Sequence, residues 1–254
     1  MISAGRKLKL TDFHTHILPG IDDGSRSTEM TAAMLQEEKR QGVERIIATP
    51  HFYANRMSVD SFLSHRAKAL AETERIRAEA VDGMPEILAG AEVYYFPGIG
   101  EAEMIPRMCI EGTKTMLLEM PFEQWNEQVL RDVMALGDRG LKIVLAHIER
   151  YTAFQKDRKI WDRVMGQKEI RKQINAGSFL KEKGLGAILR GSRKRRFCLE
   201  TLRENEDTVI GSDCHNTTSR AVNLLAAREV IRAELGEERL RKLDSAAEDA
   251  LRDG

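Results

Sequence analysis

The feature that most constrains this chain is an alternation, kept up from one end to the other, of short apolar runs with longer amphipathic stretches. Runs such as Ile143-Val144-Leu145-Ala146 are apolar on both faces, as parallel strands covered by helices must be, although a buried helix segment can mimic any single one. Seven segments read as strands: residues 9–13, 45–49, 86–92, 116–119, 142–147, 171–175 and 208–213. Ser27 can cap a helix that carries Met30, Ala33 and Met34 on one face and stops at Gly42. Further helical stretches span residues 59–80, 124–138, 151–165, 179–205 and 217–235. Strands and helices in this order read as one α/β domain of βα repeats over residues 1–254, closed as a barrel or open as a doubly wound sheet. The tail, residues 237–252, carries Leu240, Leu243, Ala247 and Leu251 at helical spacing. It reads as a helix packed on the outside of the barrel, with a dimer contact as the alternative.

Composition removes whole classes of function. Lys+Arg and Asp+Glu each number 40, so the chain has no net field with which to hold a nucleic acid non-specifically. No apolar run approaches the roughly 18 residues of a membrane span, and the basic start, residues 1–10, has no signal-like apolar stretch. The three cysteines, Cys109, Cys198 and Cys214, form no CxxC and fit a reducing compartment. A cytoplasmic protein is expected. The run Arg193-Lys194-Arg195-Arg196 reads as a solvated face, with a phosphopeptide-docking patch as the alternative.

The chemistry is signalled by position. Residues able to ligate metals stand at the C-terminal ends of six of the seven expected strands: His14 and His16, His51, Glu92, Glu119, His147, and the pair Asp213 and His215. In βα barrels that rim is where functional groups gather. A lone histidine on an apolar strand is usually a satisfied core residue, but scattered core histidines would show no preference for one end. Only the strand ending near Asn175 lacks such a residue, and His65, inside an expected helix, is read as structural. Side chains alternate along a strand, so His14 and His16 point the same way and can chelate one ion, and Asp213 and His215 repeat the device. Asp12 shares that face one step deeper, where it could fix a ring tautomer or equally cap a helix or form a salt bridge. The loop Leu18-Pro19-Gly20-Ile21-Asp22-Asp23-Gly24 returns two carboxylates to the rim, or is a turn whose aspartates bond backbone N–H groups. A mixed imidazole and carboxylate set suits manganese, iron or zinc. So many ligands suit two or three ions sharing a carboxylate, spaced about 4 Å apart as in phosphoryl-transfer sites. Arg150 and Arg220 follow two of the ligand positions closely and could grip phosphate oxygens, or pair with nearby carboxylates.

At these residues the chain resembles a known group. Asp12-Phe-His-Thr-His16, Leu-Pro-Gly-Ile-Asp-Asp-Gly24, Ala-Thr-Pro-His51, Gly-Ala-Glu-Val-Tyr-Tyr95, His147-Ile-Glu-Arg-Tyr151 and Gly-Ser-Asp-Cys-His-Asn216 are similar to the polymerase-and-histidinol-phosphatase (PHP) superfamily. Within it they are most similar to bacterial protein-tyrosine phosphatases of capsule and exopolysaccharide operons. The resemblance implies a distorted (β/α)7 barrel with a trinuclear, usually manganese-loaded site. It implies that His14, His16, Glu92 and Asp213 hold one ion, that Glu92, Glu119 and His147 hold a second with Glu92 bridging, and that Asp23, His51 and His215 hold a third. Asp23 is favoured over Asp22 on this ground, and Arg150 and Arg220 match the phosphate-contacting arginines.

The expected activity is in-line hydrolysis of phosphotyrosine on a protein, with a bacterial tyrosine kinase of capsule synthesis as partner and a metal-activated water as nucleophile. Hydrolysis of histidinol phosphate or another small phosphate ester is the alternative. A cysteine phosphatase is the rival mechanism, since Cys214 and Arg220 form Cys-x5-Arg. The intervening residues contain no glycine, and strand alternation points Cys214 away from Asp213 and His215. A non-catalytic phosphoprotein-binding module and an amidohydrolase complete the rivals; the latter often carries a bridging lysine where this chain has Glu119.

Overall fold

A strand that is apolar on both faces has to be covered on both sides, and the chain achieves this by closing its strands into a barrel wrapped by helices. The computed structural model describes residues 8–80, 83–181 and 185–252. Most of the basic start of the chain, and residues 182–184 of the expected helical stretch 179–205, therefore lie outside the described residues.

The strands are β1 (Thr11–Thr15), β2 (Arg45–Ala48), β3 (His51–Phe52), β4 (Glu86–Ala89), β5 (Glu92–Tyr94), β6 (Thr115–Glu119), β7 (Lys142–Leu145), β8 (Ile170–Asn175) and β9 (Thr208–Gly211). All pair in parallel, as β1-β2-β4 and as β3-β5-β6-β7-β8-β9. Two of the staves are broken in the middle. Pro50, which has no N–H to give a ladder, separates β2 from β3, and Gly90-Ala91 separates β4 from β5. Gly90 N donates to Ala48 O at 2.8 Å and Glu92 N to Pro50 O at 3.0 Å, so the pairing runs on across both breaks. The expected strand 86–92 is thus two short strands on one line. Nine strands with two such pairs merged make seven staves. The ring closes between the first and last, where Asp213 N donates to His14 O at 2.8 Å and His16 N to Cys214 O at 3.0 Å.

The two faces of each stave enter different cores. Ile143 and Leu145 pack outward with the helices, while Val144 and Ala146 join Phe13, Ile47, Leu117 and Val209 in a separate cluster inside the barrel. The helix α7 (Glu237–Ala250) adds Ala246, Ala247 and Ala250 to that inner cluster. At the N-terminal strand ends, Arg45 Nη1 donates to Glu248 at 2.7 Å and Thr115 Oγ1 to Ala250 O at 2.5 Å. α7 therefore stoppers the bottom of the barrel. Leu240 and Leu243 pack in the outer core as expected, while the small alanine face of the same helix reaches the inner cluster.

The remaining helices are α1 (Thr28–Arg40), α2 (Val59–Glu79), α3 (Glu127–Asp138), α4 (Lys159–Met165), α5 (Leu185–Glu204) and α6 (Leu224–Leu235). Ser27 Oγ accepts from Met30 N at 3.3 Å and Gly42 follows the C-terminus of α1 with φ +83°, as the sequence suggests. Several helices begin later than expected. Residues 151–158 are turns because Tyr151 is wholly buried, taking Met120 N at 2.9 Å on its hydroxyl, and Gln155 bonds Trp125 N and Glu123 O. Residues 217–223 are held off a helix by Asn216, whose Oδ1 accepts from Thr218 N at 2.9 Å and Arg220 N at 3.0 Å. The crossover after β5 uses 3-10 turns, Ile99–Glu101 and Ile105–Met108, instead of an α-helix.

Candidate functional site

At the C-terminal rim the staves bring the nine expected residues into one constellation, buried except for a partly exposed His51 and an exposed Asp23. Glu92, on β5, stands at its centre. Its Oε1 lies 2.9 Å from His147 Nε2, and its Oε2 lies 2.9 Å from His51 Nδ1, 3.2 Å from His14 Nε2 and 3.3 Å from His16 Nε2. His14 and His16 also face Asp213 Oδ1 at 3.7 and 3.4 Å. His147 Nε2 is 3.5 Å from Glu119 Oε1, while His51 Nε2 and His215 Nε2 each sit 3.4 Å from Asp23 Oδ1. The donors fall into three overlapping groups: His14, His16 and Glu92; His51, Glu92 and Glu119; and His16, Asp23, His51 and His215. His65 is exposed on α2, outside the constellation.

Two of these residues reach the cluster through unusual backbone. His147 (φ +30°) and Asp213 (φ +53°) adopt the left-handed conformation that non-glycine residues avoid. Val144 and Ala146 face the barrel interior, so plain alternation would aim residue 147 outward; the left-handed turn brings its ring back in. The turn is held by His147 N donating to Gln173 Oε1 at 2.6 Å. Asp213 lies beyond the end of β9, so the alternation argument for Asp213 and His215 reaches the right face by a turn and not by a strand. Two glycines admit the close approach: a Cβ at Gly211 would stand 2.5 Å from His14 Cβ, and one at Gly24 would stand 2.2 Å from His16 O.

The surrounding polar residues fix which ring nitrogen is free. His14 Nδ1 bonds Gln173 Oε1 at 3.1 Å, His16 Nδ1 bonds Asp22 Oδ2 at 2.7 Å, and His215 Nδ1 bonds the Asp213 carbonyl at 3.0 Å. With Nδ1–H donating in each case, Nε2 presents a lone pair to the cluster, the arrangement by which supporting residues orient metal-binding histidines. Gln173 Nε2 goes on to Asn175 Oδ1 at 2.9 Å, and Asn175 Nδ2 to Asp213 Oδ2 at 2.7 Å. The sixth stave, which offers no ligand, thus supplies the braces. Gln173 carried no sequence signal, because an amide on a strand says nothing of what it supports.

Asp12 does not orient a ring. The register of β1 shifts between Asp12 and Thr15, and this irregularity turns Asp12 off the face of His14 and His16. Asp12 Oδ1 accepts from Ser212 N at 2.8 Å and His14 N at 3.1 Å, against Glu38 of α1. Burial, with Asp12 beside it, pushes the Glu38 carboxyl well up. Asp22 takes the turn role weighed for the Leu18–Gly24 loop: besides His16 it accepts from Gly24 N at 2.9 Å and His51 N at 3.0 Å. Asp23 stays open, with its side chain 65% exposed.

The electrostatics are those of a site built for cations. Burial opposes charging His147, yet Glu119 and Glu92 raise its pKa to about 9. Burial would push up the Glu92 and Asp213 carboxyls, but the neighbouring histidines, His14 foremost, hold both well below the carboxylate range. His215 moves the other way, to about 4, through burial and the charge on His16. Glu92 Oε2, His51 Nδ1 and His215 Nε2, all buried and all facing the cluster, make no hydrogen bond within the protein. Orphaned donors of this kind, converging on shared points, fit metal ions.

Over the constellation opens a cleft of ≈ 470 Å³. Arg150 and Arg220 stand at its edge, half exposed: Arg220 Nη2 is 2.8 Å from Asp213 Oδ1, and Arg150 Nη1 is 3.9 Å from Asp213 Oδ2 with its guanidinium over the Phe122 ring. Tyr94, at the end of β5, lines the cleft. Phe52, Tyr95 and Tyr151 are buried in the core, and Phe96 packs against it. Tyr53, Arg56 and Phe122 line the cleft as well.

Comparison with known proteins agrees with this geometry. The family model of capsular polysaccharide synthesis, CpsB/CapC, matches residues 10–251. The chain is 28% identical to the tyrosine-protein phosphatase CpsB of Streptococcus pneumoniae over 236 residues, covering 92% of this chain and 94% of that one. It is also 28% identical to the tyrosine-protein phosphatase YwqE of Bacillus subtilis over 248 residues, covering 96% and 92%. One chain from the crystal structures of YwqE from Bacillus subtilis and CpsB from Streptococcus pneumoniae, described as unique metal-dependent tyrosine phosphatases, superposes with a TM-score of 0.78 at 26% identity, covering 95% of this chain and 94% of that one. An organophosphorus hydrolase from Deinococcus radiodurans, at 13% identity and a TM-score of 0.51, shares the fold alone. The chain belongs to the capsular polysaccharide synthesis family CpsB/CapC.

Proposed function

We propose that this chain is a metal-dependent protein-tyrosine phosphatase of capsule or exopolysaccharide synthesis, with residues 1–254 acting as one catalytic unit. The observation that carries the reading is the constellation of converging, partly orphaned donors beneath a cleft edged by Arg150 and Arg220. Three divalent ions, manganese by preference over iron or zinc, would be held by His14, His16, Glu92 and Asp213; by Glu92, Glu119 and His147; and by Asp23, His51 and His215. When bound they would supply positive charge and lower the pKa of water. Arg150 and Arg220 receive the phosphoryl oxygens and offset the charge that builds during transfer. Tyr53, Tyr94 and Phe122 give the phenyl ring an apolar wall. The leaving phenolate, with a pKa near 10, needs no strong acid. The phosphorylated partner is a bacterial tyrosine kinase, and the place of action is the cytoplasm, in keeping with three free cysteines and no membrane-crossing helix among the described residues.

The deciding test is chelation and reloading. Stripping metal should abolish hydrolysis of a phosphotyrosine peptide, and Mn²⁺ should restore it better than Mg²⁺, since imidazole donors favour transition metals. Full turnover by demonstrably metal-free protein sinks the proposal. A higher kcat/KM for histidinol phosphate than for the peptide moves the chain to the small-molecule reading.

Cys214 separates the rival mechanism. It is wholly buried, its Sγ lies 3.7 Å from Glu38 Oε1, and burial and the charges of Glu38 and Asp12 push its thiol well up, away from a thiolate. Cys214→Ser should keep most of its activity. A folded, metal-loaded but inactive Cys214→Ser protein would restore the thiolate mechanism.

A further inference from the structure

Two clefts meet at one wall beside the donor constellation. The second, of ≈ 410 Å³, is lined by Ile21, Asp22 and Met57 and shares Asp23, His51, Tyr53 and Arg56 with the first. The wall is made by a tight turn between β3 and α2. Arg56 N donates to Tyr53 O at 2.9 Å and Met57 N to the same oxygen at 3.4 Å, which folds the segment back. The Arg56 guanidinium then lies over the Tyr53 ring, 4.4 Å from its centroid, while Tyr53 is itself backed by Tyr94 at 5.5 Å. Stacking of this kind holds a guanidinium in place and leaves its N–H groups at the ring's edge free to bond.

The three arginines of the cleft are not equivalent. Arg150 and Arg220 both face Asp213 and line only the cleft over the donors. Arg56 lines both clefts, and no described carboxylate pairs with it. An exposed, preorganised and unpaired cation on the border of the site, next to an apolar recess formed by Ile21 and Met57, is complementary to an anionic group a short distance along the substrate from the phosphoryl group.

We propose that Arg56 is a specificity-determining residue, which reads an acidic side chain next to the phosphotyrosine while the Ile21–Met57 recess takes the adjoining part of the substrate chain. The proposal rests on the phosphatase reading above. The test uses manganese-loaded enzyme and pairs of phosphotyrosine peptides that differ only in Asp, Asn or Lys at the flanking positions, read as ratios of kcat/KM on one enzyme so that metal loading cancels. The wild type should favour Asp over Asn about fivefold, the scale of one partly exposed ion pair. In Arg56→Ala the ratio should fall to about one, and Arg56→Glu should prefer the Lys peptide. A wild-type ratio of one, or a ratio unchanged in Arg56→Ala, overturns the proposal. A wild type that hydrolyses none of the peptides overturns the phosphatase reading itself, and this proposal with it.

Discussion

Glu92→Ala should yield a folded protein that has lost more than one bound metal ion and on the order of a thousandfold in phosphatase activity. The expectation follows from where the carboxylate stands. Glu92 belongs to two of the three donor groups and lies within 3.3 Å of His14, His16, His51 and His147. No other described side chain touches so many of them. Its removal takes a shared ligand from two ions at once and leaves four imidazoles facing one another without a central negative charge, so protons and metals are both held less well. Metal analysis of the purified variant, with circular dichroism to establish folding, provides the check. His65→Ala, on an exposed face of α2, should change neither metal content nor turnover. Equal metal content in wild type and Glu92→Ala would reject the bridging role.

Arg220→Ala should lower kcat/KM for every phosphate ester by about thirtyfold to a thousandfold, equivalent to roughly 2 to 4 kcal/mol of transition-state stabilisation from one preorganised charge donor. The side chain is 41% exposed at the cleft edge and anchored by Asp213 at 2.8 Å, so its guanidinium is positioned before substrate arrives. Its backbone is held separately through Arg220 N and Asn216 Oδ1, so truncation should leave the loop in place. Steady-state kinetics on a phosphotyrosine peptide and on p-nitrophenyl phosphate, with metal content measured in parallel, isolate the effect. A loss confined to the peptide would show that Arg220 acts on the protein substrate and not on the phosphoryl group. A matching loss of metal would show that its main task is to hold Asp213.

What could be read in the chain, and what could not, divides along physical lines. The alternation of two-sided apolar runs with amphipathic stretches determined a parallel, helix-covered α/β architecture, because burial on both faces is a property of each strand's own composition. The clustering of His14, His16, His51, Glu92, Glu119, His147, Asp213 and His215 followed from the same reading, since the C-terminal ends of parallel strands meet at one rim whatever the details of packing. Tertiary structure alone decided the rest. Asp12 left the histidine face through an irregularity that pairing with β2 imposes on β1, and His147 and Asp213 point inward through left-handed residues that no period announces. Gln173 and Asn175 became braces, Arg56 and Tyr53 came to line the cleft, and α7 came to stopper the barrel because of neighbours distant in the chain. A single sequence shows what a residue can bond. Which partner it meets is set by contacts between staves, and those exist only once the ring has closed.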